Sequence, residues 1–76
     1  MSQERKQAID KTCEITKTYQ FLLLNAKTAK LRKKILAVGI EHMAARKAQL
    51  KGVLDSCGEE AIENFEAELK KMQKAL

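Results

Sequence analysis

Apolar residues recur at helical spacing along three stretches of the chain. Within residues 8–26, 31–54 and 62–76 they follow one another in steps of three and four residues. This spacing places side chains on one face of an α-helix. Proline is absent and beta-branched runs are missing, which also favours helix. We therefore predict an all-α, three-helix protein. The predicted helices span residues 3–24, 28–54 and 58–76 of a single helical domain, residues 1–76.

The central stretch carries two apolar lines instead of one. The first line consists of Leu31, Ile35, Val38, His42 and Ala45, and the second of Leu36, Ile40, Met43, Leu50 and Leu54, with Lys47 at its one polar position. Together they cover about half of the helix surface, which is more than an ordinary surface helix shows. A central helix that contacts two neighbours is the expected result. Gly39, inside this helix, costs about 1 kcal/mol relative to alanine and indicates a close crossing with another helix.

The connection between the first two helices contains no proline or glycine that would force a break. On one straight helix, at about 100° per residue, the apolar stripes before and after residues 25–28 would point in different directions. A turn near Asn25, in the left-handed conformation that ends many helices, would direct both stripes to one core. This predicts a helical hairpin followed by a C-terminal helix. The alternative is an unbroken rod in an extended dimer.

Residues 54–58 form the clearest helix boundary in the sequence. Ser2 is a suitable N-cap for the first helix. Ser56 and Glu59 have the spacing of a capping box and predict the start of the third helix.

A chain of 76 residues buries only about 60% of its extended surface, so a core of this size is marginal. Such chains gain stability from cross-links, metals or a partner chain. Cys13 and Cys57 are far apart in the sequence without a metal-binding pattern, and we expect buried, unlinked thiols. His42 lies between apolar positions and is expected to be a buried or interface histidine. The chain therefore favours a helical-bundle dimer or a protein partner.

Charge is distributed unevenly along the chain. Residues 1–51 hold 12 basic and 4 acidic residues, whereas residues 52–76 hold 3 basic and 6 acidic residues. We expect the two parts to attract each other, so that the acidic third helix offsets part of the positive charge. The densest basic cluster could alternatively follow a phosphate backbone, although no recognised DNA-binding motif accompanies it. The candidate nucleic-acid contacts are Lys27, Lys30, Arg32, Lys33 and Lys34.

Several classes of protein are disfavoured. The charged N-terminus differs from a signal peptide, and the longest apolar run, residues 21–24, is far shorter than the ~20 residues of a membrane span. This favours a cytoplasmic protein. No nucleophile–base pair, phosphate-binding loop or metal motif is recognisable, and His42 has no oriented partner in the sequence. We expect no catalysis, metal, cofactor or small-molecule substrate.

The favoured function is a small protein-binding module, such as an adaptor, regulator, inhibitor or chaperone, that acts through apolar helix faces. The partner would be another protein, a second copy of the chain, or both. Phe21 and Leu24 lie off the apolar stripe of the first helix and are the candidates for an outward contact. This stripe consists of Ala8, Thr12, Ile15, Tyr19, Leu22 and Ala26. The alternative is a basic regulator that binds nucleic acid. The predicted interface comprises Phe21, Leu24, Leu36, Ile40, Met43, Leu50, Phe65, Leu69 and Met72.

Overall fold

The computed structural model describes residues 3–76 and folds them into three α-helices. The helices are α1 (Gln3–Asn25), α2 (Ala29–Gln49) and α3 (Ser56–Ala75). These residues contain no strand, so the all-α, three-helix prediction is confirmed. The molecule measures 42 × 19 × 16 Å. The predicted N-cap Ser2 lies outside the described residues.

A short turn separates α1 from α2, so the unbroken rod is excluded. Thr28 is the N-cap of α2, and its side chain accepts a hydrogen bond from the Leu31 N–H at 3.1 Å. The predicted turn near Asn25 is confirmed, but it does not use a left-handed residue, because no described residue other than glycine has a positive φ. The Asn25 side chain instead donates to the carbonyl of Phe21 at 2.8 Å. The Asn25 amide thus satisfies one of the last carbonyl groups of α1, and no left-handed residue is needed for this.

The central helix ends at Gln49, earlier than the predicted Leu54. Gly52 has a φ of 85°, a left-handed conformation that glycine adopts without steric cost. The chain therefore turns towards α3 while Leu50 and Leu54 are still buried. These two leucines continue the apolar line of α2 into the loop, which is why the sequence pattern extended the helix too far.

The N-cap of α3 is Asp55, and the predicted capping box is wrong. The Asp55 side chain accepts from the Gly58 N–H at 2.9 Å. Because the cap lies one residue before Ser56, Gly58 occupies the N3 position that the capping box assigns to Glu59. Glu59 still lies in the first turn, where its charge favours the helix dipole.

The core lies mainly between α2 and α3, the most closely packed pair. The second apolar line of α2 faces this core, and Leu36, Met43 and Leu69 are fully enclosed. The predicted close crossing at Gly39 is confirmed. A Cβ added there would lie 3.1 Å from Leu69 Cδ1 and 3.3 Å from Tyr19 Cδ1, so helices approach Gly39 from two sides.

The first helix packs less extensively than the other two. It contacts both α2 and α3, and this arrangement buries Tyr19 and Leu23. Leu22, which the sequence places on the buried stripe, is 42% exposed. Because α1 contacts α3 as well as α2, its buried side is centred nearer to Leu23. Leu22 therefore lies at the margin of the contact with α2. Within residues 3–76, no helix has the length and apolar character that crossing a membrane requires.

Candidate docking surfaces

An open groove of about 520 Å³ runs between α1 and α2. We call it the α1–α2 groove. Its walls are mostly apolar, and charged side chains stand at its edges. It is lined by Lys11, Glu14, Ile15, Thr18, Tyr19, Leu22, Leu31, Lys34, Ile35, Val38 and His42.

The first apolar line of α2 lies in this groove, and α1 covers it only partly. Leu31 is 47% exposed and Val38 is 49% exposed, whereas Ile35 is half-buried. The sequence predicts two neighbours for α2. On the second line, Leu36 and Met43 are fully enclosed and Ile40 is half-buried. Because α1 covers the first line incompletely, an apolar strip remains open to solvent along the α1–α2 groove.

A tyrosine–histidine pair links the two walls of this groove. The Tyr19 hydroxyl and His42 Nδ1 are 2.8 Å apart, and the two rings meet edge to face at a centroid distance of 5.6 Å. The hydroxyl donates when His42 is neutral with its proton on Nε2. Burial raises the pKa of Tyr19 above its ordinary value. His42 is exposed and lines the open groove, so the buried alternative is wrong, while the interface alternative stays a prediction.

Arg46 makes a second polar link between α1 and α2. Its guanidinium donates to Thr12 Oγ1 at 3.3 Å and to the carbonyl of Ala8 at 3.4 Å. These contacts hold the first half of α1 against the last turns of α2. Neither this link nor the Tyr19–His42 pair has a local sequence signal, because the partners are far apart in the chain.

A second apolar surface lies at the C-terminal end of α1. Leu24 is 84% exposed, Phe21 is 65% exposed, and Met72 and Leu76 are each 46% exposed. Leu24, Met72 and Leu76 border a depression of about 500 Å³. Phe21 precedes Leu24 by three residues and is its neighbour on the helix surface. We call these four residues the bundle-end surface.

The structure places the nine predicted interface residues in different environments. Phe21, Leu24 and Met72 are exposed, and Ile40 is half-buried. The others lie in the core, where neighbouring helices enclose them and leave no surface for a partner in this fold. These core residues are Leu36, Met43, Leu50, Phe65 and Leu69. Only the exposed and half-buried members therefore remain candidates for contact with a partner. The nine residues did not include Leu22, Leu31, Val38 and Leu76, which are exposed. Leu31 belongs to the first apolar line of α2, so the sequence pattern already indicated that it contacts a neighbour.

The basic cluster is exposed and is not neutralised by α3. Among residues 3–76, Lys27, Lys30, Arg32, Lys33 and Lys34 are all exposed and make no ion pair. The expected attraction between the basic and acidic parts occurs elsewhere.

Within the described part of the chain, ion pairs at two places join the basic and acidic parts. Lys47 of α2 pairs with Glu63 of α3, and Arg5 of α1 pairs with Asp55. The hydrogen bond to Glu63 raises the pKa of Lys47. The prediction that α3 offsets positive charge therefore applies to Lys47, at the polar position of the second apolar line.

Both cysteines are exposed and unlinked, so the expectation of buried thiols is wrong. Cys13 follows Thr12, the residue that turns towards Arg46, and therefore lies on a different side of α1. Cys57 lies in the first turn of α3, beside the loop from α2.

Comparisons of the chain with protein-family models, with curated proteins and with solved structures found no match. The two apolar surfaces and the basic cluster are therefore the features from which we infer function.

Proposed function

We propose that the protein acts in the cytoplasm by binding rather than by catalysis, as an adaptor, regulator, inhibitor or chaperone that recognises another protein. The observation that carries the proposal is the exposure of Phe21 and Leu24, at 65% and 84%, side by side on α1. The bundle-end surface supplies the contact. Buried aromatic side chains are frequent anchors of protein interfaces, and Phe21 fits that role.

The surroundings of Phe21 and Leu24 support this proposal. Met72 and Leu76 extend the apolar area, and the adjacent depression gives a partner side chain a place to insert. Each large apolar side chain that a partner covers contributes about 1.5–3 kcal/mol when fully buried. Contiguous apolar patches of this kind mark interaction sites on small proteins.

The test is capture of a partner by the double variant Phe21→Ala with Leu24→Ala. Because both side chains are exposed, circular dichroism should show unchanged helicity, while affinity for the captured protein falls at least about tenfold. The matched control is Lys6→Ala with Gln7→Ala, at exposed polar positions in the first turns of α1, at least fourteen residues before Phe21. Equal capture by both double variants would contradict the proposal.

Nucleic-acid binding is the second candidate function, and the exposed, unpaired basic cluster is the observation that favours it. Five basic residues within residues 27–34 could neutralise consecutive phosphates, and binding would then weaken steeply with salt.

Replacement of Lys30, Lys33 and Lys34 with glutamine tests this second candidate. Retention of double-stranded DNA or RNA at low salt should be lost in this variant. It should persist in a control that replaces Lys6, Lys17 and Lys51 with glutamine and removes the same charge. Absence of retention by the wild-type chain at low salt would exclude nucleic acid.

A further inference from the structure

We propose that a second copy of this chain occupies the α1–α2 groove, so that the protein is a homodimer built on Leu22, Leu31 and Val38. This inference shares with the proposed function only the premise that the chain acts through helix association. Its surface is separate from the bundle-end surface, and a dimer formed through the groove leaves Phe21 and Leu24 accessible.

The exposed area of the monomer supports a partner of considerable size. The chain exposes 5638 Å², whereas a folded monomer of 8.6 kDa exposes about 4700 Å². The excess of roughly 900 Å² belongs to the whole molecule, and it is sufficient for the ~800 Å² that each partner buries in a standard protein interface.

The shape of the groove suits the same face of another copy. Its walls are formed by residues 11–22 of α1 and 31–42 of α2, which corresponds to about 18 Å of length at 1.5 Å per residue. Two such helix pairs facing each other form a four-helix layer, an arrangement that packs well in bundles. In a twofold interface the same residues serve both sides, so Leu31 and Val38 of each copy can cover the apolar strip of the other.

The charges at the groove edges also favour a second copy. Lys11 and Lys34 are positive, and Glu14 is negative. A partner with a uniformly charged surface would meet a like charge at one of these positions. A second copy carries both signs and can place opposite charges across the interface. Lys34 also belongs to the basic cluster, whose other members, Lys27, Lys30, Arg32 and Lys33, carry only positive charge and do not line the groove.

The first experiment is sedimentation equilibrium of wild-type protein and Val38→Glu. Wild-type protein should be dimeric at micromolar concentration. Val38→Glu should raise the dissociation constant at least about tenfold, because it places an unpaired charge in an apolar interface. The matched control is Ala44→Glu, at an exposed position on another side of α2, and it should leave the constant unchanged. Circular dichroism establishes that both variants are folded.

The second experiment reverses one edge charge. Glu14→Lys makes the groove edges uniformly positive and should weaken the dimer, whereas Glu60→Lys changes the net charge equally on exposed α3 and should not. A monomeric wild-type chain at every concentration would overturn the proposal. A dimer that Val38→Glu and Ala44→Glu affect equally would also overturn it.

The two proposals fail independently of each other. Val38→Glu should still capture a partner through the bundle-end surface. Loss of capture by Phe21→Ala with Leu24→Ala should leave the dimer intact. A groove that remains open in the monomer and binds a different protein would refute the homodimer while preserving the proposed binding function.

Discussion

Gly39 of α2 lies between Tyr19 of α1 and Leu69 of α3, where the neighbouring side chains pack closely against its backbone. Leu69 is fully enclosed and has no free space to move into, whereas Tyr19 is buried but borders the α1–α2 groove. We expect Gly39→Ala to lower the free energy of unfolding by about 1 kcal/mol. Overpacking at 3.1 Å outweighs the gain in helix propensity.

Chemical denaturation followed by circular dichroism measures this change. Ala37→Gly is the control, since Ala37 is exposed on the same helix and should lose about 1 kcal/mol from propensity alone. If Gly39→Ala raised the stability instead, the crossing at Gly39 would be looser than the structure shows.

Tyr19 is the single tyrosine of the chain, so its ionisation can be followed directly. Burial disfavours tyrosinate and raises the pKa of Tyr19 in the folded state. Since the folded pKa exceeds the unfolded one, the associated stability is fully present below about pH 10 and is lost as the pH rises through the folded value. Absorbance titration of the native protein should give a pKa above that of the denatured chain.

Lys47 produces a pH dependence of the same sign, because the hydrogen bond to Glu63 raises its pKa. Lys47→Gln removes this contribution and isolates the effect of Tyr19. Tyr19→Phe should reduce the loss of stability at alkaline pH. Identical tyrosine titration curves for native and denatured protein would contradict the buried position of Tyr19.

At the level of helices, the sequence predicted the core face of α2 better than its ends. Leu36 and Met43 belong to a regular apolar line, and this line is buried as periodicity implies. The end at Gln49 could not be predicted because Leu50 and Leu54 preserve the spacing from within a loop. Whether Gly52 adopts a left-handed conformation depends on where α3 packs, and helical spacing contains no information on that.

The start of α3 shows a related difficulty. Asp55 and Ser56 are adjacent and are both good N-cap residues. Sequence spacing favoured Ser56 because Glu59 completes a capping box. In the folded chain Asp55 also pairs with Arg5 of α1, and this tertiary contact supports the earlier start.

Asp55 is therefore expected to matter more than Ser56. Asp55→Ala should lower the free energy of unfolding by about 1 kcal/mol or more, because it removes the cap, whereas Ser56→Ala should have little effect. Asp55→Asn retains a capping side chain and removes only the charge, so it should fall between them. Thermal unfolding of the three variants measures the order. A larger loss for Ser56→Ala than for Asp55→Ala would contradict the assignment of the cap.

At the scale of the whole molecule, the two apolar lines of α2 differ in how much of their surface is buried. One line is largely enclosed by α3, and the other forms a wall of the α1–α2 groove. The sequence indicated that α2 needs two neighbours, but not that α1 would leave Leu31 and Val38 half-exposed. That outcome depends on distant contacts, such as the link from Arg46 to Ala8, which set the position of α1.

The outward position of Phe21 and Leu24 was predictable, because both fall off the stripe of α1. It was not predictable that the basic cluster would remain exposed without ion pairs. Opposite charges on two segments predict attraction, but only packing determines which residues meet. Lys47 reaches Glu63, while Lys30 and Lys33 remain exposed.

Hydroxyl-radical footprinting at increasing protein concentration tests the central claim most directly, because it measures the exposure of individual side chains. The claim is that association covers the α1–α2 groove and leaves the bundle-end surface open. Leu31 and Val38 should become protected as the concentration rises, while Phe21 and Leu24 are oxidised at an unchanged rate. Protection of Phe21 and Leu24 with continued oxidation of Leu31 and Val38 would contradict it, as would rates that do not change with concentration at any of the four residues.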